Sequence, residues 1–336
     1  MHRRFTGVSA TTAAVARQQA GRYRMQLVGC RLPDCPEPVA VWRGMMCSRR
    51  PARGRNYVLW HVRRNNEMRA ALIARDVLRL PVRIVFTSSA QRLHSALPRW
   101  LISRMDAVIA TTKIAASFIP NVHAVVHHGV DTEKFYPPEN LEVAWKETGF
   151  PGRFGIATVG RIRPEKGVDL FVDAMIRMLP RFPDVVALVV GKASAGDRLF
   201  QAGLQAKIKA AGLSGRMIFT DQVNAEQVPA LIRSLGLLVA CPRYEGYGIT
   251  PLEAMASGVP VVATNTGFFP SFIGDNEAGE LVAETTSIAV AEAVRALLEN
   301  PAARVRKSRA ARSRAVNRFG IDREVDGIHK VYESLW

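Results

Sequence analysis

The chain has 336 residues, 48% of them hydrophobic and 22% charged, a composition that excludes a disordered or fibrous chain and allows two globular domains. No apolar run reaches the roughly 18 residues that a membrane-spanning helix needs. The net charge of +17 is uneven: residues 1–140 hold 22 Lys and Arg against 8 Asp and Glu, whereas residues 141–336 hold 24 against 21. The basic first part indicates an anionic partner, with nucleic acid, anionic lipid and a phosphorylated substrate all open. The four cysteines lack zinc spacing, and a disulfide framework is not expected in a chain of this size. A reducing cytosol therefore fits best.

Short β-rich runs alternate with helical patterns along the chain, which predicts an α/β fold of parallel sheets built from β-α-β units. The segment 131–153 interrupts this alternation and is expected to connect two domains, of residues 1–145 and 151–318, with a further C-terminal helix in 319–336 that could pack back on the first. The predicted strands are 25–28, 57–60, 82–86, 107–110, 123–127, 155–159, 185–190, 217–219, 237–240 and 259–263. The predicted helices include 66–80, 168–178, 287–298, 302–318 and 322–335.

The segment 245–253 carries the strongest chemical signal, because Glu245 and Glu253 flank a glycine-rich turn between a predicted strand and a predicted helix. Ligands of open parallel sheets bind at the carboxyl ends of the strands, and free N–H groups at a helix start suit phosphate or hydroxyl oxygens. The same residues also read as a capping box, with Thr250 at the N-cap and Glu253 satisfying the backbone. Taken alone, the segment leaves both interpretations open.

A second loop, residues 160–167, follows another predicted strand and holds three cations between two glycines, Arg161, Arg163 and Lys166. Cations near a helix start suit a diphosphate, although an exposed basic loop explains them equally well. The G-x-x-x-x-G-K-[ST] spacing of a Walker loop is absent. Since strands of one parallel sheet end at one edge, we expect this loop and those after 190 and 219 to meet the 245–253 turn.

Several motifs together resemble one family, the retaining GT-B glycosyltransferases of family 4. The glutamate pair matches its E-x7-E motif and is followed by A-M-A-S-G-V-P-V-V at 254–262. Matching segments occur in the family's order at 5–8, 128–131 and 160–167. Three further segments, 60–68, 86–92 and 99–111, are similar to lipopolysaccharide core mannosyltransferases within that family. The resemblance implies two Rossmann-like parallel-sheet domains facing each other across a cleft.

The resemblance implies transfer of a hexose, mannose, from a nucleoside diphosphate sugar, GDP-mannose, with retention. It implies no metal and no cofactor besides this donor substrate, because cations and helix ends neutralise the leaving diphosphate. Arg161 and Lys166 would hold the diphosphate, Glu245 would contact the transferred sugar, and Glu253 would bind the ribose hydroxyls. Further donor-binding residues implied by the resemblance are Gly7, Gly160, Val223, Tyr247, Gly248, Ile249 and Thr250.

The acceptor side is expected in the basic first domain, and the acceptor to be an anionic lipid-linked saccharide such as the lipopolysaccharide inner core. The acceptor candidates there are His61, Arg63, Gln91 and Arg92. An acceptor-side histidine that the family often has after the strand 82–86 is replaced by Ser89 or Ala90. A lone histidine is more often a structural residue, which is the alternative for His61 and His94.

The start of the chain departs from the family. Only residues 1–4 precede the segment 5–8, whereas the family has a β-strand before its first glycine loop. We therefore expect the first strand of the N-terminal domain to be missing, through truncation or a misassigned start. The family's loop also has two adjacent glycines, whereas Thr6 precedes Gly7 here.

We expect the protein to be cytoplasmic and peripheral on the inner face of the cytoplasmic membrane, where cations near an anionic surface each contribute roughly 1 kcal/mol. Trp100, among Arg92, Arg99 and Arg104, is the expected contact point. Two alternatives belong to other classes: a catalytically impaired GT-B scaffold protein, and a basic nucleic-acid-binding protein. The second lacks any recognised nucleic-acid-reading motif.

Overall fold

The computed structural model describes residues 7–336, which form two compact units. The first unit contains the chain up to Gly129 and returns from Phe319 to Trp336, and the second spans Val130–Arg318. The expectations for residues 1–6, including Phe5, Thr6 and the position of a first strand, lie outside the described residues. The chain elements up to residue 129 are α1 (Gly7–Ala20), α2 (Val41–Cys47), β1 (Val58–Val62), α3 (Asn65–Leu72), a π-helix (Ile73–Val77), β2 (Val82–Ser88), α4 (Ala96–Ser103), β3 (Ala107–Ala110), α5 (Lys113–Ser117) and β4 (Ala124–Val125).

The remaining elements alternate strand and helix and end in three consecutive helices. They are α6 (Leu141–Glu147), β5 (Phe154–Val159), α7 (Val168–Met178), β6 (Val185–Val190), α8 (Arg198–Ala210), β7 (Met217–Asp221), α9 (Val228–Arg233), β8 (Leu237–Ala240), α10 (Ile249–Ala256), β9 (Val261–Thr264), α11 (Phe269–Ile273), β10 (Gly279–Val282), α12 (Ser287–Glu299), α13 (Pro301–Phe319) and α14 (Ile321–Glu333).

The first unit is built on a parallel sheet of order β1-β2-β3-β4. Successive side chains of β2 point to opposite faces, so that Val85 joins one apolar core while Ile84 and Phe86 join the other. The first core is closed by α1 and by the returning α14, and the second by α3 and α4. Helix α14 thus completes the first unit although it follows the whole second unit in the chain.

The second unit has a six-stranded parallel sheet of order β10-β9-β8-β5-β6-β7. All six residues of β6 are buried, as expected for a strand covered on both faces. Helix α7 packs on the sheet through Phe171, Val172 and Met175. The prediction of two parallel-sheet α/β units is confirmed. The segment 131–153, expected to be a connection, lies within the second unit and contains α6, whose Trp145 is buried against Gly155 of β5.

Three local details differ from the predictions. The run 25–28 is not a strand, since Val28 makes only an isolated bridge with Val39. The helix predicted over 66–80 changes at Ile73 into a π-helix. The short strand β10 at the sheet edge was not predicted.

Candidate functional site

The carboxyl ends of the second sheet form one continuous edge. Gly160 N–H donates to the Val190 carbonyl over 2.9 Å, and Gly191 N–H donates to the Asp221 carbonyl over 2.9 Å. Gly191 has φ of 140°, and a Cβ added there would lie 1.8 Å from the Gly160 carbonyl oxygen. Only glycine therefore fits where these two loops cross. The loops after β5, β6 and β7 thus meet one another along this edge. The expected contact with the 245–253 turn is made by the loop after β5, through Lys166 and Glu245, and stays a prediction for the other two loops.

The cationic loop after β5 is joined to the segment after β8. Gly167 has φ of 66°, and a Cβ there would lie 1.7 Å from the Cys241 carbonyl oxygen. Arg243 N–H donates to the Glu165 carbonyl over 2.9 Å, and the Arg243 guanidinium binds both carboxylate oxygens of Asp169, at 2.8 and 2.6 Å. Partial burial alone would raise the pKa of Asp169, but the hydrogen bonds from Arg243 bring it below its usual value.

Lys166 and Glu245, both expected at the donor site, are direct partners. The Lys166 ammonium donates to Glu245 Oε2 over 2.5 Å, and Gly246 N–H donates to Glu245 Oε1 over 3.0 Å. Both side chains keep some exposure, 27% for Lys166 and 20% for Glu245. An arriving anion can therefore reach the lysine and compete with the glutamate for it.

Arg161 and Gly160 lie at the exposed start of the same loop. Within residues 7–336 the Arg161 guanidinium has neither a hydrogen bond nor an ion pair, so its donors face solvent. Arg163, by contrast, pairs with Glu165 at 2.9 Å. Val223, expected beside the base, is half-buried in the loop after β7.

The segment 245–253 does not form the predicted capping box. Helix α10 begins at Ile249, its N-cap is Gly248, and no side chain caps it. Gly248 has φ of 82°, and a Cβ there would lie 2.2 Å from Phe269 Cε1. The left-handed turn at Gly248 places Thr250 inside the helix, beyond the N-cap position. Helix α10 therefore starts with unoccupied N–H groups, as an anion site requires.

The other side chains of this segment divide between core and edge. Tyr247 is buried and stacks on Phe268, with ring centroids 5.1 Å apart, so its side chain belongs to the core. Ile249 and Thr250 are half-buried in the first turn of α10. The packed Tyr247 side chain thus anchors a segment in which the resemblance implies donor-binding residues.

Glu253, one turn further along α10, is half-buried. Within residues 7–336 its carboxyl has no hydrogen-bond partner and no ion-pair partner at contact distance. Burial raises the pKa of Glu253 to about 7, and the more distant Lys134 ammonium works against that rise. A carboxyl in this state can accept from or donate to hydroxyl groups near neutral pH.

The first unit has its own candidate site, a cavity of about 150 Å³ at the carboxyl ends of β1 and β2. It is lined by Val8 and Thr11 of α1, by Arg63 after β1, by the segment after β2 and by His128. Among the described residues that line it, none carries a carboxylate. The Arg63 guanidinium therefore gives the cavity a positive charge.

A buried carboxylate holds the cationic side of this cavity in place. Glu324 Oε1 accepts from His128 Nδ1 over 2.8 Å and lies 3.7 Å from Arg63 Nη2, while Glu324 Oε2 accepts from Gly129 N–H over 2.8 Å. Burial alone would raise the pKa of Glu324, but His128, Arg63 and the N–H of Gly129 together keep it below its usual value. The Arg63 side chain is only 6% exposed, and its Nη2 is buried without a hydrogen bond. Within residues 7–336, Arg63 Nη2 is thus paired with Glu324 by charge but has no hydrogen bond.

The remaining acceptor candidates, His61, Gln91 and Arg92, are not among the residues that line this cavity. His61 uses both ring nitrogens, with Tyr332 Oη at 2.6 Å and Thr87 Oγ1 at 2.7 Å. Burial, followed by the charge of Arg63, lowers the pKa of His61 well below its usual value. Gln91 donates to Thr112 Oγ1 over 3.4 Å, Arg92 is exposed, and neither lines the cavity.

His94, named beside His61 on sequence grounds, lines the cavity and lies 3.3 Å from Ser88 Oγ. Sequence reasoning missed Glu324, which reaches His128 from the other end of the chain. One signal for Glu324 was present, because a charged residue at that position interrupts the apolar face that Ile321, Val325 and Ile328 define. Gly7 opens α1, one residue before the cavity lining.

Possible metal ligands are scattered in the described part of the chain. Within residues 7–336, His, Cys, Asp and Glu side chains nowhere gather in a group of three or more that could hold a metal ion. The charge available to a ligand on the edge of the second sheet comes instead from lysine and arginine.

Comparisons with known proteins place the chain in a family. The family model described as "Glycosyl transferases group 1" matches residues 144–314. The lipopolysaccharide core biosynthesis mannosyltransferase LpcC of Rhizobium leguminosarum bv. viciae is 39% identical over 99% of this chain and 94% of its own length. LpsB of Rhizobium meliloti, which has the same description, is 38% identical over 99% of this chain and 95% of its own.

The fold agrees with solved structures. Anabaena Alr3699/HepE in complex with UDP-glucose superposes with a TM-score of 0.82 over 99% of this chain and 98% of its own, at 19% identity. This likeness identifies the two Rossmann-like units as the GT-B fold. With the family model over the second unit and two relatives along nearly the whole chain, the protein belongs to the group 1 glycosyltransferases.

Proposed function

We propose that the protein transfers mannose from GDP-mannose, with retention, to an anionic lipid-linked saccharide of the lipopolysaccharide inner core. The observation that carries this proposal is the near-full-length similarity to two lipopolysaccharide core mannosyltransferases, at 39% and 38% identity. It is supported by a cationic sheet edge in the second unit and a cationic cavity in the first. We place the reaction on the cytoplasmic side of the membrane.

The donor diphosphate would bind at the edge of the second sheet. Arg161 offers unpaired donors, Lys166 offers a partly exposed ammonium, and α10 begins with free N–H groups. As the bond to the sugar breaks, negative charge grows on the diphosphate, and these groups would neutralise it. Their charge makes a metal unnecessary in this proposal.

The same contacts suggest how retention would be achieved. Glu245 is held between Lys166 and its own loop, where it can accept hydrogen bonds from sugar hydroxyls. Tied in this way, it is placed to orient the sugar rather than to attack it. The acceptor hydroxyl would approach from the face that the diphosphate leaves, and a phosphate oxygen would take its proton.

Glu253 would bind the ribose hydroxyls of the donor. Its carboxyl has no hydrogen-bond partner within residues 7–336, and burial raises its pKa to about 7. A pair of adjacent hydroxyls would supply the missing hydrogen bonds. Binding of the nucleoside would then favour the ionised carboxylate.

The acceptor would use the cavity of the first unit. Buried Arg63 Nη2 lacks a hydrogen bond, and the N-terminus of α1 has no acidic residue in its first turn. Both features suit a carboxylate or phosphate on the acceptor saccharide. His61, with both nitrogens occupied inside the unit, would support this site without touching the substrate.

The test is donor turnover by the full chain. We would incubate it with GDP-mannose, UDP-glucose or UDP-GlcNAc, each with and without a Kdo-lipid A acceptor, and measure nucleotide release and the anomeric configuration of the product. We expect release with GDP-mannose that depends on acceptor, survives EDTA and gives a retained configuration. Turnover with UDP sugars only would refute the donor assignment. No turnover with any donor would favour the scaffold alternative, and a DNA gel shift without nucleotide binding would favour the nucleic-acid alternative.

A further inference from the structure

The first unit exposes a group of large apolar side chains on two neighbouring segments. The π-helix and the residue after it expose Ile73, Val77 and Leu78, and α4 with its preceding loop exposes Leu93, Leu97 and Trp100. Their exposed fractions run from 49% for Ile73 to 69% for Val77. We call these six side chains the α4 face. Soluble proteins seldom expose large apolar side chains in such a group unless something binds them.

The two segments are held side by side. The Arg75 guanidinium, in the π-helix, donates to the Arg104 carbonyl at the end of α4 over 2.9 Å and to Asp106 over 2.7 Å. Beneath them, Met68 of α3 and Leu101 of α4 are buried in the same core. The inner sides of both segments are thus fixed in the unit.

Helix α4 carries apolar side chains both toward the core and toward solvent. Leu101 and Ile102 are buried in the core, while Leu97 and Trp100, one turn apart, are more than half exposed. The unit covers nearly half of the Leu97 and Trp100 surface, and the exposed remainder would gain free energy from a partner, because burying apolar surface is favourable. Packing within the first unit therefore does not explain why Leu97 and Trp100 are apolar.

The charge around the α4 face has one sign. Between Ile73 and Arg104 the chain has six arginines and one acidic residue, Asp76. Arg75 neutralises Asp76 at 2.7 Å. The exposed arginines beside the face are Arg79, Arg92, Arg99 and Arg104.

We infer that the α4 face docks on an anionic lipid bilayer. Tryptophan is favoured at the boundary between headgroups and acyl chains, leucine and valine can enter the upper acyl region, and the arginines would contact lipid phosphates. The Arg104 guanidinium already lies over the Trp100 ring, 5.9 Å from its centroid, an arrangement that suits this boundary. Within residues 7–336 no helix is long and apolar enough to cross a membrane, so this contact would be made at the surface.

This inference rests on the proposed function, because a lipid-linked acceptor presents its saccharide at a membrane surface. The arginines favour an anionic bilayer over a protein partner, because phosphate groups cover a bilayer densely whereas a protein would need a matching acidic patch. A second exposed segment, with Trp42 and Met46 on α2, provides an internal comparison.

The experiment is flotation of the full chain with vesicles of phosphatidylcholine alone or with 30% phosphatidylglycerol. We expect binding to the anionic vesicles that falls with salt, and little binding to the neutral ones. The double variant L97S/W100S should bind at least tenfold more weakly, and R92Q/R99Q should bind several-fold more weakly. L199S in the second unit, where Leu199 is 87% exposed, is the matched control and should bind like the wild type.

Other results would overturn the inference: equal binding by L97S/W100S, loss of binding in W42S but not in L97S/W100S, or equal binding to neutral and anionic vesicles. Circular dichroism of each variant checks folding. Transfer to a delipidated saccharide separates this inference from the proposed function. L97S/W100S should keep that activity, whereas a wrong proposed function would abolish turnover in every variant and leave vesicle binding unchanged.

Discussion

Arg243 and Asp169 form a two-point ion pair that joins the two loops of the candidate donor site. Both nitrogens at the end of the guanidinium bind the carboxylate, and Arg243 also holds the carbonyls of Pro164 and Glu165. Arg243 is therefore a positioning residue, which sets how far Lys166 lies from Glu245. A lysine ammonium is a single point charge and could not make the same set of contacts.

Replacing Arg243 with lysine should weaken the donor site more than the fold. We expect R243K to bind GDP about five- to tenfold more weakly by calorimetry, with a loss of about 1 kcal/mol in the free energy of unfolding. R295K, which alters a one-point pair with Glu299 on exposed α12, is the control and should change neither quantity. Unchanged GDP binding in R243K would show that the two loops keep their places without the clamp.

Removal of the Lys166 charge should act on the chemical step. We expect K166A to lower the rate of transfer by about 10² to 10³, because an ammonium no longer neutralises the leaving diphosphate. GDP binding should fall less, since Arg161 and the start of α10 remain. K209A, on the exposed end of α8, should leave the rate unchanged. A rate that drops less than threefold in K166A would remove Lys166 from the proposed role.

Gly248 should tolerate no side chain. Alanine at this position would combine a left-handed backbone with a Cβ 2.2 Å from Phe269 and 3.0 Å from Glu245 Cγ, so G248A should shift the Glu245 loop. We expect a loss of about 2 kcal/mol in stability and a clear loss of GDP binding. Gly203, inside α8 with nothing within 4 Å of an added Cβ, is the matched control, and G203A should gain up to about 1 kcal/mol. Thermal unfolding and calorimetry check both variants.

The raised pKa of Glu253 predicts a pH-dependent stability. In the unfolded chain this carboxyl titrates near 4.5, and in the folded protein near 7. Between these pH values the folded state holds a proton that the unfolded state has lost, so the free energy of unfolding should fall as the pH rises. E253Q should remove the contribution of Glu253 to this pH dependence. That contribution is at most about 3 kcal/mol in the free energy of unfolding. Urea unfolding at several pH values between 4.5 and 8 tests it, with E292Q on α12 as control. An identical slope in E253Q would contradict the assignment.

Loss of the Glu324 carboxylate should affect the first unit and the acceptor. E324Q leaves Arg63 buried without a counter-charge, which we expect to cost about 3 kcal/mol of stability. GDP binding should persist, while the KM for the acceptor should rise. E333Q, on the same helix but with exposed partners Arg55 and His329, should cost less than about 1 kcal/mol. If E324Q weakens GDP binding and acceptor use equally, Glu324 does not act through the acceptor cavity.

The elements predicted best are those with a clear apolar pattern in the sequence. The bounds of β6, β8 and α7 are as predicted, because a strand covered on both faces and a helix with one apolar side each leave a clear pattern. Strand β10 escaped notice because it is a short edge strand that contains Gly279 and Glu280. The run 25–28 is apolar but has no neighbouring strand to complete a ladder.

The site was predicted in part, and its failures have local causes. The sequence contains the capping-box pattern, but helix α10 begins at Ile249, after the left-handed turn at Gly248. Thr250 is therefore not the N-cap residue. The pairing of Lys166 with Glu245 joins two loops that are far apart in the sequence, so no local sequence pattern predicts it. Glu324 reaches His128 across 196 positions of sequence, and only its place on an apolar helix face marks it.

The return of α14 to the first unit has a consequence for synthesis of the protein. The second unit is one uninterrupted stretch, Val130–Arg318, and it can fold as soon as it has emerged from the ribosome. The first unit, although made earlier, lacks one wall of its core and the carboxylate beside Arg63 until residues 319–336 appear. The nascent chain thus carries the core of its first unit open while its second unit folds, so apolar surface stays exposed longest in the part translated first.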